Sequence, residues 1–242
     1  LYRSPSRSPS PSLSSSPSPS GGVVSEGQGY GLLLAGAAAA ALPADHPRRD
    51  EVVTLALEYF RGWEAMCVAT VANSCQEIYL CGANQEFECL PSWKFNDDVS
   101  SELGTGSAPD GDEVCHARYN KPHEMHHVKI HRVNVCKCKC TMWCNDQDAI
   151  LGMLLLVLAT KAEQPAWWDE VARWTYQSCR AFLEHLTEPH ASKVASNGQP
   201  QRMLKLGSCW GGWDCSNPSY HAPGHWRAFR CAADTLAPRT HS

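Results

Sequence analysis

No stretch of this 242-residue chain is apolar for long enough to cross a membrane. The longest run, Leu32 to Leu42, has 11 residues and is broken by Gly36, against the roughly 20 that a span needs. Charge of one sign is not in excess either. Lys and Arg number 21 against 25 Asp and Glu, a net −4, which argues against an electrostatic nucleic-acid binder and a membrane-surface protein. No segment alternates apolar and polar residues over strand length, so the chain reads as all-α. A charged start followed by an apolar centre and a small-residue cleavage site is also missing. With Leu at position 1, the chain reads as part of a longer protein whose targeting sequence lies upstream. Apolar residues are not scarce: at 43% they suffice for a core and exclude wholesale disorder.

Cysteine is abundant. Thirteen residues point to an oxidising compartment, with metal binding as the alternative. Cys67, Cys75, Cys81 and Cys89 fall within 23 residues, where two disulfides would stabilise a connection that cannot bury its own core. Four cysteines allow three pairings, so connectivity stays open. Cys209 and Cys215 suit a further small loop. Free thiols in a reducing compartment are the contrary reading.

Residues 1–22 read as a disordered segment, since the first 20 hold ten Ser and five Pro. Arg3 and Arg7 add a faint likeness to a phosphorylated splicing-factor tail. The folded part opens at about Val24, where Ser25 and Gln28 have capping-box spacing ahead of an Ala/Leu-rich helix ending near Leu42. A second helix runs from about Arg48 through Phe60, Trp63 and Met66. Residues 67–108 read as an irregular connection. A buried helix follows over Asp148–Lys161, a fourth begins after Pro165, and a fifth starts at about Pro223. Residues 189–218 read as loop.

Two carboxylate sites among aromatics are the candidate chemistry. Glu26 lies in a Gly-rich turn at a helix start, and Asp110 and Asp112 flank Gly111. A general acid needs a raised pKa, and Tyr30 and its neighbours would supply desolvation. Trp63, Trp93, Trp210, Trp213, Tyr220 and Trp226 would stack on sugar rings. Turn formation accounts equally for the acids and core packing for the aromatics. The residues alone leave both open.

Three motifs, in order, resemble glycoside hydrolase family 8, the bacterial-type endoglucanases. They are Ser25-Glu-Gly-Gln-Gly-Tyr-Gly, Ala108-Pro-Asp-Gly-Asp, and Leu204-Lys-Leu-Gly followed by Asn217-Pro-Ser-Tyr-His-Ala-Pro-Gly-His-Trp-Arg-Ala-Phe. The resemblance covers residues 23 to about 230. It implies an (α/α)6 barrel of twelve helices in two rings, incomplete in this chain because only five helices are legible. It also implies roles: Glu26 as proton donor to the glycosidic oxygen, Asp110 in contact with the sugar at the cleavage point, and Tyr220 near the cleft. With them, Tyr30, Asp112 and Trp93 are candidate substrate-binding residues. The family inverts configuration, so a second carboxylate activates water roughly 6.5–9.5 Å from the acid. By the resemblance that base follows the Asn-Pro-Ser-Tyr segment, beyond Ser242. The chain as given is therefore expected to show little or no activity on carboxymethyl-cellulose.

Between Glu113 and Asp148 the motif is interrupted by Val114–Gln147, 34 residues holding five Cys, five His and no Leu, Gly or Ser. Joining the flanks gives Ala-Pro-Asp-Gly-Asp-Glu-Asp-Ala-Ile-Leu-Gly-Met, an uninterrupted helix start. Val codons begin GT and Gln can be CAG, so the segment reads as an unspliced intron of 102 nucleotides, three per residue, translated in frame. A genuine loop insertion, basic by six Lys and Arg against two acids, is one competitor. A metal site from Cys136, Cys138, Cys140, Cys144, His126, His127 and His131 is the other, but Cys-x-Cys-x-Cys is not the usual spacing of structural zinc. No metal and no cofactor are expected.

The sequence thus predicts a disordered segment (1–22) and a partial hydrolase domain (23–242, with 114–147 inserted). It reads as a secreted, monomeric, endo-acting β-1,4-glucan hydrolase whose partner is the polysaccharide, with no nucleic acid and no membrane. Chitosan, xylan or mixed-linkage glucan are alternative substrates. A catalytically inactive carbohydrate-binding relative is the alternative class.

Overall fold

Helix α1, Ser25–Ala41, owes its length to an Ala/Leu run of high helix propensity. It stops where Leu42 turns extended ahead of Pro43. In this computed structural model, residues 23–69, 80–85, 87–91, 94–95, 143–207, 210–213 and 216–236 are described. Val24, not Ser25, caps α1, without a side-chain bond. The capping box expected of Ser25 and Gln28 does not form: Ser25 is buried and Gln28 Nε2 donates to the Tyr59 carbonyl, 2.5 Å away on the next helix.

That next helix, α2 (Arg49–Ala69), buries Ala56, Phe60, Trp63 and Cys67 on one stripe, the spacing of a helix face. Helix α3 spans Trp143–Ala159 and buries Ala149, Ile150, Met153, Leu156 and Val157 completely. Helix α4, Trp168–His185, begins three residues beyond Pro165, whose carbonyl accepts the Trp168 N–H at 2.8 Å. Helix α5, Pro223–Leu236, starts on a proline, which at the first helical position has no N–H to leave unpaired. Phe60 and Trp174 meet edge to face, ring centroids 6.0 Å apart, at the centre of the core.

Two contacts set the direction of α1 against α3. Buried Arg49 donates to the carbonyls of Ala39 and Leu42, at 3.0 and 2.9 Å, and to that of Ala159. Its guanidinium therefore joins the C-terminal ends of α1 and α3, so the two helices run parallel. Midway they touch backbone to backbone: a Cβ on Gly152 would lie 2.5 Å from the Leu32 carbonyl carbon and oxygen, and one on Gly36 would enter the Gly152 carbonyl. α4 runs back along α3, its Trp168 Nε1 donating 2.9 Å to the Val157 carbonyl. α5 then starts beside the start of α3, where His225 Nε2 lies 2.8 Å from Asp148 Oδ1. The starts of α1, α3 and α5 share one end of the molecule.

The chain is not all-α, and the expected (α/α)6 barrel is not what the described residues form. Among the described residues, five helices stand beside three small antiparallel sheets. β1 (Val23–Val24) pairs with β4 (Lys94–Phe95), and β2 (Leu80–Cys81) with β3 (Phe87–Glu88). β5 (Thr187–Val194), β6 (Pro200–Gly207) and β7 (Trp210–Gly211) form the third sheet in that order. Part of the stretch expected as loop is therefore a hairpin. It turns at Asn197-Gly198: Gly198 has φ +78°, its N–H bonds to the Ala195 carbonyl at 2.9 Å, and Asn197 Oδ1 accepts the Gln199 N–H. Asn-Gly is a strong hairpin signal. No alternation announced the strands because β5 is almost wholly exposed and polar; only Leu204 and Leu206 on β6 point alternately inward.

The third helix also differs in its bounds. It starts at Trp143, five residues before the expected Asp148, so the end of the suspected insertion is helical.

In the connection after α2, Cys81 and Cys89 form a disulfide, Cα atoms 5.1 Å apart. Ser178 Oγ of α4 donates to the Cys89 carbonyl at 2.8 Å. Cys67 is a buried free thiol, so it takes no part in the two disulfides expected of these cysteines. Cys75 lies outside the described residues.

Candidate functional site

Glu26 stands in the first turn of α1 rather than in a Gly-rich turn, because the three glycines that follow are helical. It is partly exposed. One helical turn on, Tyr30 is 46% exposed, and its hydroxyl donates to Glu26 Oε1 at 3.2 Å, the i,i+4 geometry of one helix face. An acidic side chain in a first turn is favoured by the positive helix end.

Tyr220 closes the short 3-10 turn Pro218–Tyr220. Its carbonyl accepts a hydrogen bond from Gln147 Nε2 at 2.8 Å, and Gln147 Oε1 accepts the Trp226 indole N–H at 3.1 Å. One buried carboxamide at the start of α3 thus fixes both the turn and the start of α5. Ser216 Oγ donates to the Leu204 carbonyl, 3.1 Å, and lies 3.0 Å from His221 Nε2. The His221 ring packs at 5.4 Å on Trp226. Ser216 thereby ties the Leu204–Gly207 segment to the Asn217–Phe229 segment, which begins ten residues after it (217 − 207).

Asp110, Asp112 and Trp93 lie outside the described residues, as do Cys75, Cys209, Cys215 and residues 114–142 with their Cys and His. Lys94, which follows Trp93, pairs with Val24, two residues before Glu26. Trp63 is completely buried and belongs to the core, not to a sugar platform. Trp213 packs on the β5–β6 hairpin: its indole N–H donates to the Glu188 carbonyl, and the His190 ring meets it edge-on at 4.6 Å. Trp226 is committed to Gln147 and His221. Among the described residues, Glu26, Tyr30 and Tyr220 are the sequence-predicted site residues.

Sequence reading missed Gln147, Asp148 and His225. Their signal was polarity at the end of an apolar run: a carboxylate and a carboxamide next to Ala149 and Ile150 need partners once buried. One residue earlier, Asp146 is fully buried and neither carboxyl oxygen has a hydrogen-bond partner among the described residues. Burial alone pushes its pKa well above the ordinary 3.8, which favours the protonated, uncharged form. The Cys67 thiol, also fully buried, is likewise pushed up, chiefly by its burial.

Among the described residues, no helix is long and apolar enough to cross a membrane, and no group of three or more His, Cys, Asp or Glu is placed to hold a metal ion. Compared with protein-family models and with curated proteins, the chain matches none.

Proposed function

We propose that the protein is a secreted endo-acting β-1,4-glucan hydrolase, with Glu26 as proton donor and Asp110 at the sugar ring being cleaved. Inversion further requires a second carboxylate that activates water from the opposite face. The observation that carries the reading is the meeting of motif segments at one molecular end. Glu26 and Tyr30 begin α1, and the turn bearing Tyr220 is bonded to the start of the parallel helix α3.

Helix register supports Asp110 as well. Gly152 lies level with the midpoint of Leu32 and Gly36, an offset of 118 (152 − 34). With equal rise per residue, Glu26 is then level with roughly position 144 of α3. If Glu113 is joined to Asp148, numbers before the junction differ by 34 from the positions they take (147 − 113). Asp110 then takes position 144, level with Glu26. The Cys81–Cys89 disulfide favours an oxidising, extracellular site of action.

The test uses the full chain and the chain lacking residues 114–147, each with and without Glu26→Gln. Cello-oligosaccharide binding is read by tryptophan fluorescence, and hydrolysis by reducing-sugar release from carboxymethyl-cellulose. The shortened chain is expected to bind oligosaccharide, and any sugar release to vanish with Glu26→Gln while binding persists. Absence of binding by both forms would sink the reading. Binding without release by any form would instead favour a carbohydrate-binding protein without turnover.

A further inference from the structure

Between α4, α5 and the β5–β6 hairpin lies a cavity of about 420 Å³, within the size range of small-molecule sites. Phe182, Leu204, Trp226 and Phe229 form its walls, and three arginines, Arg180, Arg202 and Arg230, stand among the lining residues, none of which is acidic. Phe182 and Phe229 meet edge to face with centroids 5.8 Å apart, so the floor is a fixed aromatic surface. Leu183, also in the lining, is 52% exposed.

Arg202 is held in place by the hairpin and by α4. Its Nε donates to Thr187 Oγ1 at 2.6 Å, and Nη2 to the carbonyls of Leu183 and Thr187 at 3.0 and 3.3 Å. Those bonds orient the guanidinium and leave Nη1 without a partner among the described residues. No carboxylate pairs with Arg202 or with Arg230 among those residues either. Two uncompensated guanidinium groups beside an apolar, aromatic cavity suit a ligand with a hydrocarbon body and one anionic head. A neutral sugar would leave both guanidinium charges unmatched and set its hydroxyls against the four apolar walls.

We propose that this cavity binds an amphiphilic carboxylate, its hydrocarbon part on the four apolar walls and its carboxylate at Arg202 and Arg230. The site shares no residue with Glu26, Tyr30 or Tyr220, and it stands whether or not the protein cleaves glycans.

The test is calorimetric titration of the full chain with decanoate, with decanol as the uncharged control. Saturable binding of one decanoate per chain is expected, at least tenfold tighter than decanol. Arg230→Gln, at an exposed helix position, should weaken it tenfold or more. Ala233→Trp, which fills the space from α5, should abolish it, with folding of both variants checked by circular dichroism. Equal affinity for decanol, or decanoate binding that Arg230→Gln leaves unchanged, would overturn the proposal. So would a chain that self-associates through this face, is separated by Ala233→Trp and takes up no decanoate.

Discussion

Replacing Asp146 by Asn should flatten the pH dependence of stability above the ordinary carboxyl value. Asp146 is completely buried and both its carboxyl oxygens lack partners among the described residues, so the folded state holds its proton more tightly than the unfolded chain does. Its folded pKa is raised well above 3.8 by desolvation. Stability from this group is therefore fully present below the unfolded value and is lost as pH rises toward the folded one. While the folded carboxyl stays protonated and the unfolded one is ionised, the loss is one proton's worth, about 1.4 kcal/mol per pH unit. For a chain of this size that is a fall of roughly 3–6 °C in melting temperature per unit. Asn keeps the shape and the unpaired polar atoms but does not titrate, so the variant lacks this slope. Urea unfolding of both proteins at pH 5, 6 and 7 isolates the effect, because every other titrating group is common to the two. Parallel profiles would refute the reasoning: they would mean that Asp146 ionises in the folded state with water or a counter-charge at hand.

Arg49→Met should cost about 3 kcal/mol in urea unfolding, because it strips charge-assisted bonds from carbonyls at the ends of both α1 and α3; an unchanged midpoint would show that the bridge contributes nothing. Gly152→Ala should lower stability by about 2 kcal/mol, since its Cβ would meet Leu32 backbone at 2.5 Å, more than offsetting the gain in helix propensity. Gly27→Ala, with open space around the added methyl, should instead gain about 0.5–1 kcal/mol, and thermal melts of the pair give the comparison. Replacing Cys81 and Cys89 together by Ser should cost about 2–3 kcal/mol, the loop-closure value for a separation of 8 residues, measured by unfolding of the variant beside the oxidised parent.

Helices were legible where burial is striped. Ala56, Phe60, Trp63 and Cys67 recur at helical spacing, as do Val171, Trp174, Ser178 and Phe182, and each set faces the core. The hairpin was not legible because its outer strand buries almost nothing. Thr187–Val194 is fixed by backbone pairing to β6 and by an Asn-Gly turn, so there is little apolar pattern to read. The sequence also could not reveal that α1 and α3 run parallel. That direction depends on one arginine reaching two helix ends and on two glycines meeting in space, none of which leaves a periodic trace. In the site, Glu26 and Tyr220 were read through local motifs. Asp148 and His225 were not, because 77 residues separate the two partners and either alone passes for a surface residue.

The start of α3 inside the suspected insertion is no argument that residues 114–147 belong to the fold. With Glu113 joined to Asp148, Pro109 takes the place of Trp143, the first residue of the helix, where a proline gives up no hydrogen bond. Asp112 takes the place of Asp146, the same carboxyl at the same position. Glu113 takes the place of Gln147 and keeps an oxygen for the Trp226 indole N–H, though it cannot donate to the Tyr220 carbonyl as Gln147 does. Asp110 and Glu113 also put carboxyl groups at the positive end of the helix, where the present window has Cys144 and Gln147. The buried apolar face from Ala149 onward is common to both sequences. That face, packed on α1, is what selects a helix here, and its start is satisfied by either set of five residues, 143–147 or 109–113.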